Sequence, residues 1–162
     1  MFDRLELLHI LERNARISSQ ELAVMLGAEE AEIIHELDQL HAENIILGYS
    51  TVINWSKTQR ESVTAMIEIR ITPQRNKGFD QIACQLFRYP QVTSCYLMSG
   101  GFDLMLIIED STLREVASFI SDKVAPIEGV LSTSTHFILK KYKSNGIVFD
   151  SKPEDNRETI IL

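Results

Sequence analysis

The hydrophobic spacing of this chain changes period near residue 50, and a segment patterned for a helix does not serve as a strand. Before that point apolar residues recur at helical intervals. Leu7, Ile10 and Leu11 form one stripe, Leu22, Ala23, Met25 and Leu26 a second, and Ile33, Leu37 and Leu40 a third. Beyond residue 60 the period becomes two: Val63, Ala65, Ile67, Ile69 and Ile71 point one way, and Thr64, Met66, Glu68 and Arg70 the other. Two units built on different principles are expected in one chain.

Stop and start signals frame the first unit as three short helices. Asp3 with Glu6, and Ser18 with Glu21, have the spacing of capping boxes, and Gly27 can end the second helix in a left-handed conformation. A third helix is expected over about 29–43, with Asn44 as its stop. Gly48-Tyr49-Ser50-Thr51-Val52-Ile53 suits a short strand or wing. The polar stretch 54–61 reads as a linker.

In the second unit the strand ends at Thr72-Pro73. Phe79, Ile82, Ala83, Leu86 and Phe87 then describe an amphipathic helix that Tyr89-Pro90 stops. Residues 92–98 and 102–109 read as strands joined by Ser99-Gly100-Gly101. Thr112 with Glu115 starts a helix that ends before Pro126, and a long last strand is expected over 130–142. The order βαββαβ is the ferredoxin-like plan. Residues 150–162 read as a polar, frayed tail.

Charge and cysteine usage narrow the function classes. Of the 162 residues, 16 are Lys or Arg and 23 Asp or Glu, a net charge of −7. Residues 1–58 hold four basic and ten acidic side chains, whereas 59–149 hold ten and nine. Affinity for nucleic acid comes largely from cations meeting phosphates, so the first unit is poorly endowed for it. No apolar run approaches the roughly 18 residues of a membrane-spanning helix, and the acidic and basic residues near the start are unlike a signal peptide. A cytoplasmic protein without membrane contact is the expectation. Cys84 and Cys95 form no CxxC pair and are expected as buried thiols. His9, His35, His41 and His136 lack ligand spacing, so no metal or cofactor is expected, and no catalytic constellation stands out.

Several phrases, in order, resemble the Lrp/AsnC (feast/famine) regulators. Arg16-Ile17-Ser18-Ser19-Gln20-Glu21-Leu22-Ala23 is similar to the entry into that family's second helix. Leu40, Ile45-Ile46 and Gly48-Tyr49 match the end of its recognition helix and its wing. Ser99-Gly100-Gly101-Phe102-Asp103 fits its Gly-x-x-Asp effector loop, and Val130-Leu131-Ser132-Thr133-Ser134-Thr135 its final strand. The resemblance covers about residues 2–149. It implies an α+β chain: a winged helix-turn-helix over 1–53, followed over 62–149 by a ferredoxin-like (RAM/ACT-like) domain for dimerisation and effector sensing. The implied partners are DNA, a small metabolite such as an amino acid, and further copies of the chain as a homodimer or higher oligomer.

The third helix departs from the pattern. The family's recognition helix is typically rich in Arg and Lys, but residues 29–43 here contain five Glu, one Asp and no Lys or Arg. Six carboxylates beside phosphates are repulsive, which implies weak or altered DNA binding. The candidate nucleic-acid contacts are Arg16, Ser18, Ser19, Gln20, His35 and Gln39. The candidate ligand residues are Ser99, Gly100 and Asp103, with Asp103 accepting from an ammonium, together with the hydroxyls of Thr133 and Thr135. A hairpin turn and ordinary strand propensity would account for the same residues without a ligand. Two rival readings stand beside the regulator: a ligand-sensing co-assembly module that no longer binds DNA alone, and an enzyme resembling the sirohaem decarboxylases, which share the two-domain plan.

Overall fold

The computed structural model describes residues 2–72 and 78–149 and divides into two compact units, Met1–Val52 and Ile53–Leu162. The tail expected over 150–162 and Pro73 lie outside the described residues.

Three helices make the first unit: α1 (Arg4–Arg13), α2 (Ser19–Leu26) and α3 (Glu30–Ala42). Asp3 caps α1 by accepting from the Leu5 N–H. Ser18 and Glu21 form a complete capping box at α2, and Gly27, at φ 62°, ends that helix. Asn44, at φ 56°, turns the chain after α3. The apolar stripes converge on a core of Leu7, Leu11, Leu22, Ala23, Ile33 and Leu40, although Met25, counted in the second stripe, is exposed. Residues 48–53 form no ladder, contrary to the expected short strand or wing. A lone extended segment without a hairpin partner has nowhere to place its backbone hydrogen bonds.

In the second unit a 3₁₀ turn at Trp55–Lys57 precedes β1 (Val63–Ile71), α4 (Phe79–Leu86), β2 (Val92–Leu97), β3 (Leu104–Asp110), α5 (Leu113–Phe119) and β4 (Val130–Phe137). The helix α5 runs on into one wider turn at Ile120–Val124 ahead of Pro126. The sheet order is β2-β3-β1-β4, and every neighbouring pair is antiparallel. Central strand β1 buries Ala65, Ile67, Ile69 and Ile71 against Leu104, Leu106 and Ile108 of β3, with Ile82 and Leu86 of α4 and Val116 and Phe119 of α5. Each fully buried aliphatic side chain contributes about 1.5–3 kcal/mol relative to exposure.

Two expectations need correction. The last strand stops at Phe137 rather than running to 142, and the chain then turns through a small hairpin, β5 (Lys143–Ser144) with β6 (Ile147–Val148). Its corner is Asn145-Gly146, both at positive φ, the pairing that two-residue hairpin loops demand. Cys84 is exposed on α4, not buried, and Cys95 is half-buried. Burial pushes the Cys95 thiol up, with Cys84 adding to the effect, which keeps it a poor nucleophile.

Candidate functional site

The helix pair α2–α3 places the candidate nucleic-acid residues on the first unit's surface. Arg16, Ser18 and Gln20 are exposed around the start of α2. Two of the hydroxyls proposed for phosphate contact serve the fold instead. The Ser18 Oγ accepts from the Glu21 N–H and donates to the Glu21 carboxylate at 2.8 Å. The Ser19 Oγ donates to Glu30 Oε1 at 2.6 Å, tying α2 to α3. His35 and Gln39 are exposed one turn apart, with their side-chain nitrogens 3.1 Å from each other.

The acidity of α3 is distributed unevenly. Arg4 of α1 reaches Glu36 at 2.6 Å and Glu43 at 2.8 Å. Glu30 receives Ser19, and Glu32 accepts from the Glu29 N–H at 3.3 Å to close the helix start. Helical geometry opposite the buried Ile33 and Leu40 leaves an outward strip of Ala31, Ile34, His35, Asp38, Gln39 and Ala42, all exposed, with Glu32 at its margin. The six carboxylates therefore do not form one acidic wall: four have internal partners in the fold, and Asp38 is the one on the strip itself. The strip still carries no Lys or Arg. Arg4 is the partner that a reading of the third helix alone missed.

At one end of the sheet the tight β2–β3 connection carries Ser99, Gly100 and Gly101, all exposed. A Cβ at either glycine would meet no protein atom within 4 Å, so the loop's outer side is open. Asp103 anchors this loop to the central strand. Its backbone N–H donates to Ile69 O at 2.9 Å, its carbonyl accepts from the Met98 N–H at 2.8 Å, and its carboxylate accepts from the buried Ile71 N–H at 2.7 Å. Thr133 and Thr135 pair with Ile69 and Ile67 on the opposite flank of β1, half-buried on the helix-covered face. Thr133 thus shares the loop's end of the sheet but stands two strand spacings from Asp103, about 10 Å. Thr135 lies one pleat farther along. The arrangement offers an exposed glycine loop, one anchored carboxylate and hydroxyls across the strand, groups that suit a small zwitterion. It offers no activated nucleophile. Among the described residues, no three His, Cys, Asp or Glu side chains are placed to hold a metal ion.

A three-helix unit carrying a helix-turn-helix, followed by an antiparallel four-stranded sheet under two helices with an open glycine loop, defines a helix-turn-helix protein of two compact units. Comparison with known proteins gives the family. Residues 64–148 match the Lrp/AsnC ligand binding domain. Over 153 residues the chain is 43% identical to YugG, an uncharacterized HTH-type transcriptional regulator of Bacillus subtilis, covering 94% of this chain and 92% of that one. It is 20% identical to the leucine-responsive regulatory protein of Haemophilus influenzae, over 89% of this chain and 86% of that one. Among solved structures, a Neisseria meningitidis transcriptional regulator in complex with L-methionine has a similar fold, with TM-score 0.71 at 21% identity and coverage of 89% and 94%. The AsnC protein of Escherichia coli has TM-score 0.68 at 19% identity, covering 89% and 96%. This chain belongs to the Lrp/AsnC family of transcriptional regulators, and these curated relatives are named as regulators and not as enzymes. Among the described residues, no helix is long and apolar enough to cross a membrane.

Proposed function

We propose that this regulator senses a small metabolite, of the amino-acid class, at the β2–β3 loop and acts on DNA in the cytoplasm through its helix-turn-helix. The observation that carries the reading is the anchoring of Asp103 to Ile71, which fixes a carboxylate beside a loop whose glycines leave its outer side open. An α-ammonium would meet the carboxylate while an α-carboxylate meets backbone N–H groups. The L-methionine complexes of the Neisseria meningitidis regulator and of a Mycobacterium tuberculosis feast or famine regulatory protein support that ligand class.

Assembly follows from the sheet. Its helix-free face carries Met66 and Glu68 of β1, Tyr96 of β2, Ile107 of β3, and Ser134 and His136 of β4. An antiparallel sheet with one uncovered, partly apolar face is suited to pairing with a second copy. The test is binding of the full-length protein to its own upstream DNA across a salt series, with and without a panel of amino acids. An amino acid that shifts DNA affinity or assembly size, with the shift lost in Asp103→Asn, supports the reading. A shift that survives the substitution moves the ligand elsewhere.

One observation also favours the second reading, a module that co-assembles with related subunits and binds DNA weakly alone: the outward strip of α3 has no cation. Mixing with a basic family member would then raise DNA affinity well above that of either alone.

A further inference from the structure

The two hydrogen bonds that tie Asp103 to β1 close on the residues either side of Arg70. The Asp103 N–H donates to Ile69 O at 2.9 Å, and its carboxylate oxygen Oδ2 accepts from the Ile71 N–H at 2.7 Å. Arg70 therefore stands on the strand directly beside the anchored carboxylate. Ile69 and Ile71 are buried under the helices, so the alternation of the strand turns Arg70 to the opposite, helix-free face, where it is exposed. Its partner across the ladder on β4 is the exposed Ser132, which carries no charge. Opposite charges facing each other on neighbouring strands attract. Here they are not joined: Asp103 commits Oδ2 to the backbone, and the Arg70 guanidinium makes no ion pair or hydrogen bond with a described residue.

We propose that Arg70 reads the ligand's α-carboxylate, which restricts the ligand at this loop to molecules carrying a free carboxylate beside the ammonium. The inference rests on the reading of Asp103 as the ammonium partner. An α-ammonium and an α-carboxylate hang on one carbon, so a site for both needs an anion and a cation side by side and not already paired. Asp103 and Arg70 are so placed, the first fixed by the Ile71 N–H and the second on the adjoining strand. A guanidinium takes a carboxylate through two parallel N–H···O bonds, which a neutral amide, with one acceptor oxygen, cannot match. Backbone N–H groups at the loop would donate to an amide or ester oxygen too. The cation is what makes the discrimination steep, and it excludes simple amines, amino-acid amides and the first residue of a peptide.

Full-length protein is screened by calorimetry against the standard L-amino acids, and each one that binds is compared with its α-carboxamide, in which a neutral amide replaces the carboxylate. Arg70→Gln is expected to weaken the amino acid roughly tenfold or more, to leave the weaker binding of the carboxamide unchanged, and to be partly rescued by Arg70→Lys in its place. Asp103→Asn should weaken both ligands alike. An amino acid that Asp103→Asn releases but Arg70→Gln binds as the parent does overturns the proposal and leaves the reading of Asp103 standing. Binding that neither substitution changes, or no binding by any amino acid, overturns both. Sedimentation of the ligand-free proteins runs in parallel. A change of assembly size in Arg70→Gln, with equal loss for amino acid and carboxamide, also overturns the proposal and assigns Arg70 to contact with a second copy.

Discussion

Arg4 Nε lies 2.6 Å from Glu36 Oε1, joining the first turn of α1 to the middle of α3. Both atoms are buried, yet the pair is bent away from hydrogen-bond geometry, so the contact is chiefly coulombic. The same guanidinium donates to Glu43 at 2.8 Å. Two helices that share only a small core are thus also held by charge. Because Arg4 is 40% exposed, solvent screens the pairs. Arg4→Ala is expected to lower the stability of the first unit by about 1 kcal/mol, and the loss should shrink in high salt. Chemical denaturation at two salt concentrations checks this. An unchanged midpoint at low salt contradicts it.

Asp103 has two separable roles. As an acceptor for the Ile71 N–H it holds the loop, and as an anion it would meet a ligand ammonium. Asp103→Asn keeps an oxygen acceptor and is expected to unfold within about 1 kcal/mol of the parent, while Asp103→Ala strands a buried N–H and costs about 1–3 kcal/mol. Thermal unfolding measures the first role. Calorimetry with the effective amino acid measures the second, where both variants should lose binding. Parent-like binding by Asp103→Asn removes the carboxylate from the site.

Glu21 gives α2 a pH dependence of known sign. The Ser18 backbone N–H, and then its hydroxyl, hold the Glu21 carboxyl below its ordinary value. A group depressed on folding stabilises above its unfolded pKa, and that contribution fades as pH falls through the folded pKa. Glu21→Gln should therefore be less stable than the parent near neutrality, with the gap closing in acid. A gap that widens as pH falls contradicts the assignment.

The residues explain why some of this was legible in the sequence and some was not. Alternation in β1 was plain because Ala65, Ile67 and Ile69 are buried on one face only, and the Ser18–Glu21 box was plain because its chemistry is local. Asn145-Gly146 was as strong a local signal, but the run of β-branched and aromatic residues before it invited an overlong last strand. The charge of α3 was legible as a count and not as a surface. Which carboxylates face outward depends on Arg4, far away in the chain and brought close only by packing. Arg70 was legible as an outward position of β1, and nothing local shows that Asp103 comes back to bond on either side of it.

The three helices of a DNA-binding regulator are in place here, while the outward strip of α3 supplies no cation. Anisotropy of the full-length protein on its own upstream DNA, from roughly 50 to 200 mM salt, tests it most directly. The expected result is an affinity no tighter than the non-specific range of about 10⁻⁴–10⁻⁶ M with a shallow salt slope. Asp38→Lys should strengthen binding and steepen the slope by roughly one, whereas Glu36→Lys, which sets a cation against Arg4, should destabilise the first unit instead. Nanomolar binding by the unmodified protein near 150 mM salt, with a steep slope that Asp38→Lys leaves unchanged, contradicts the account.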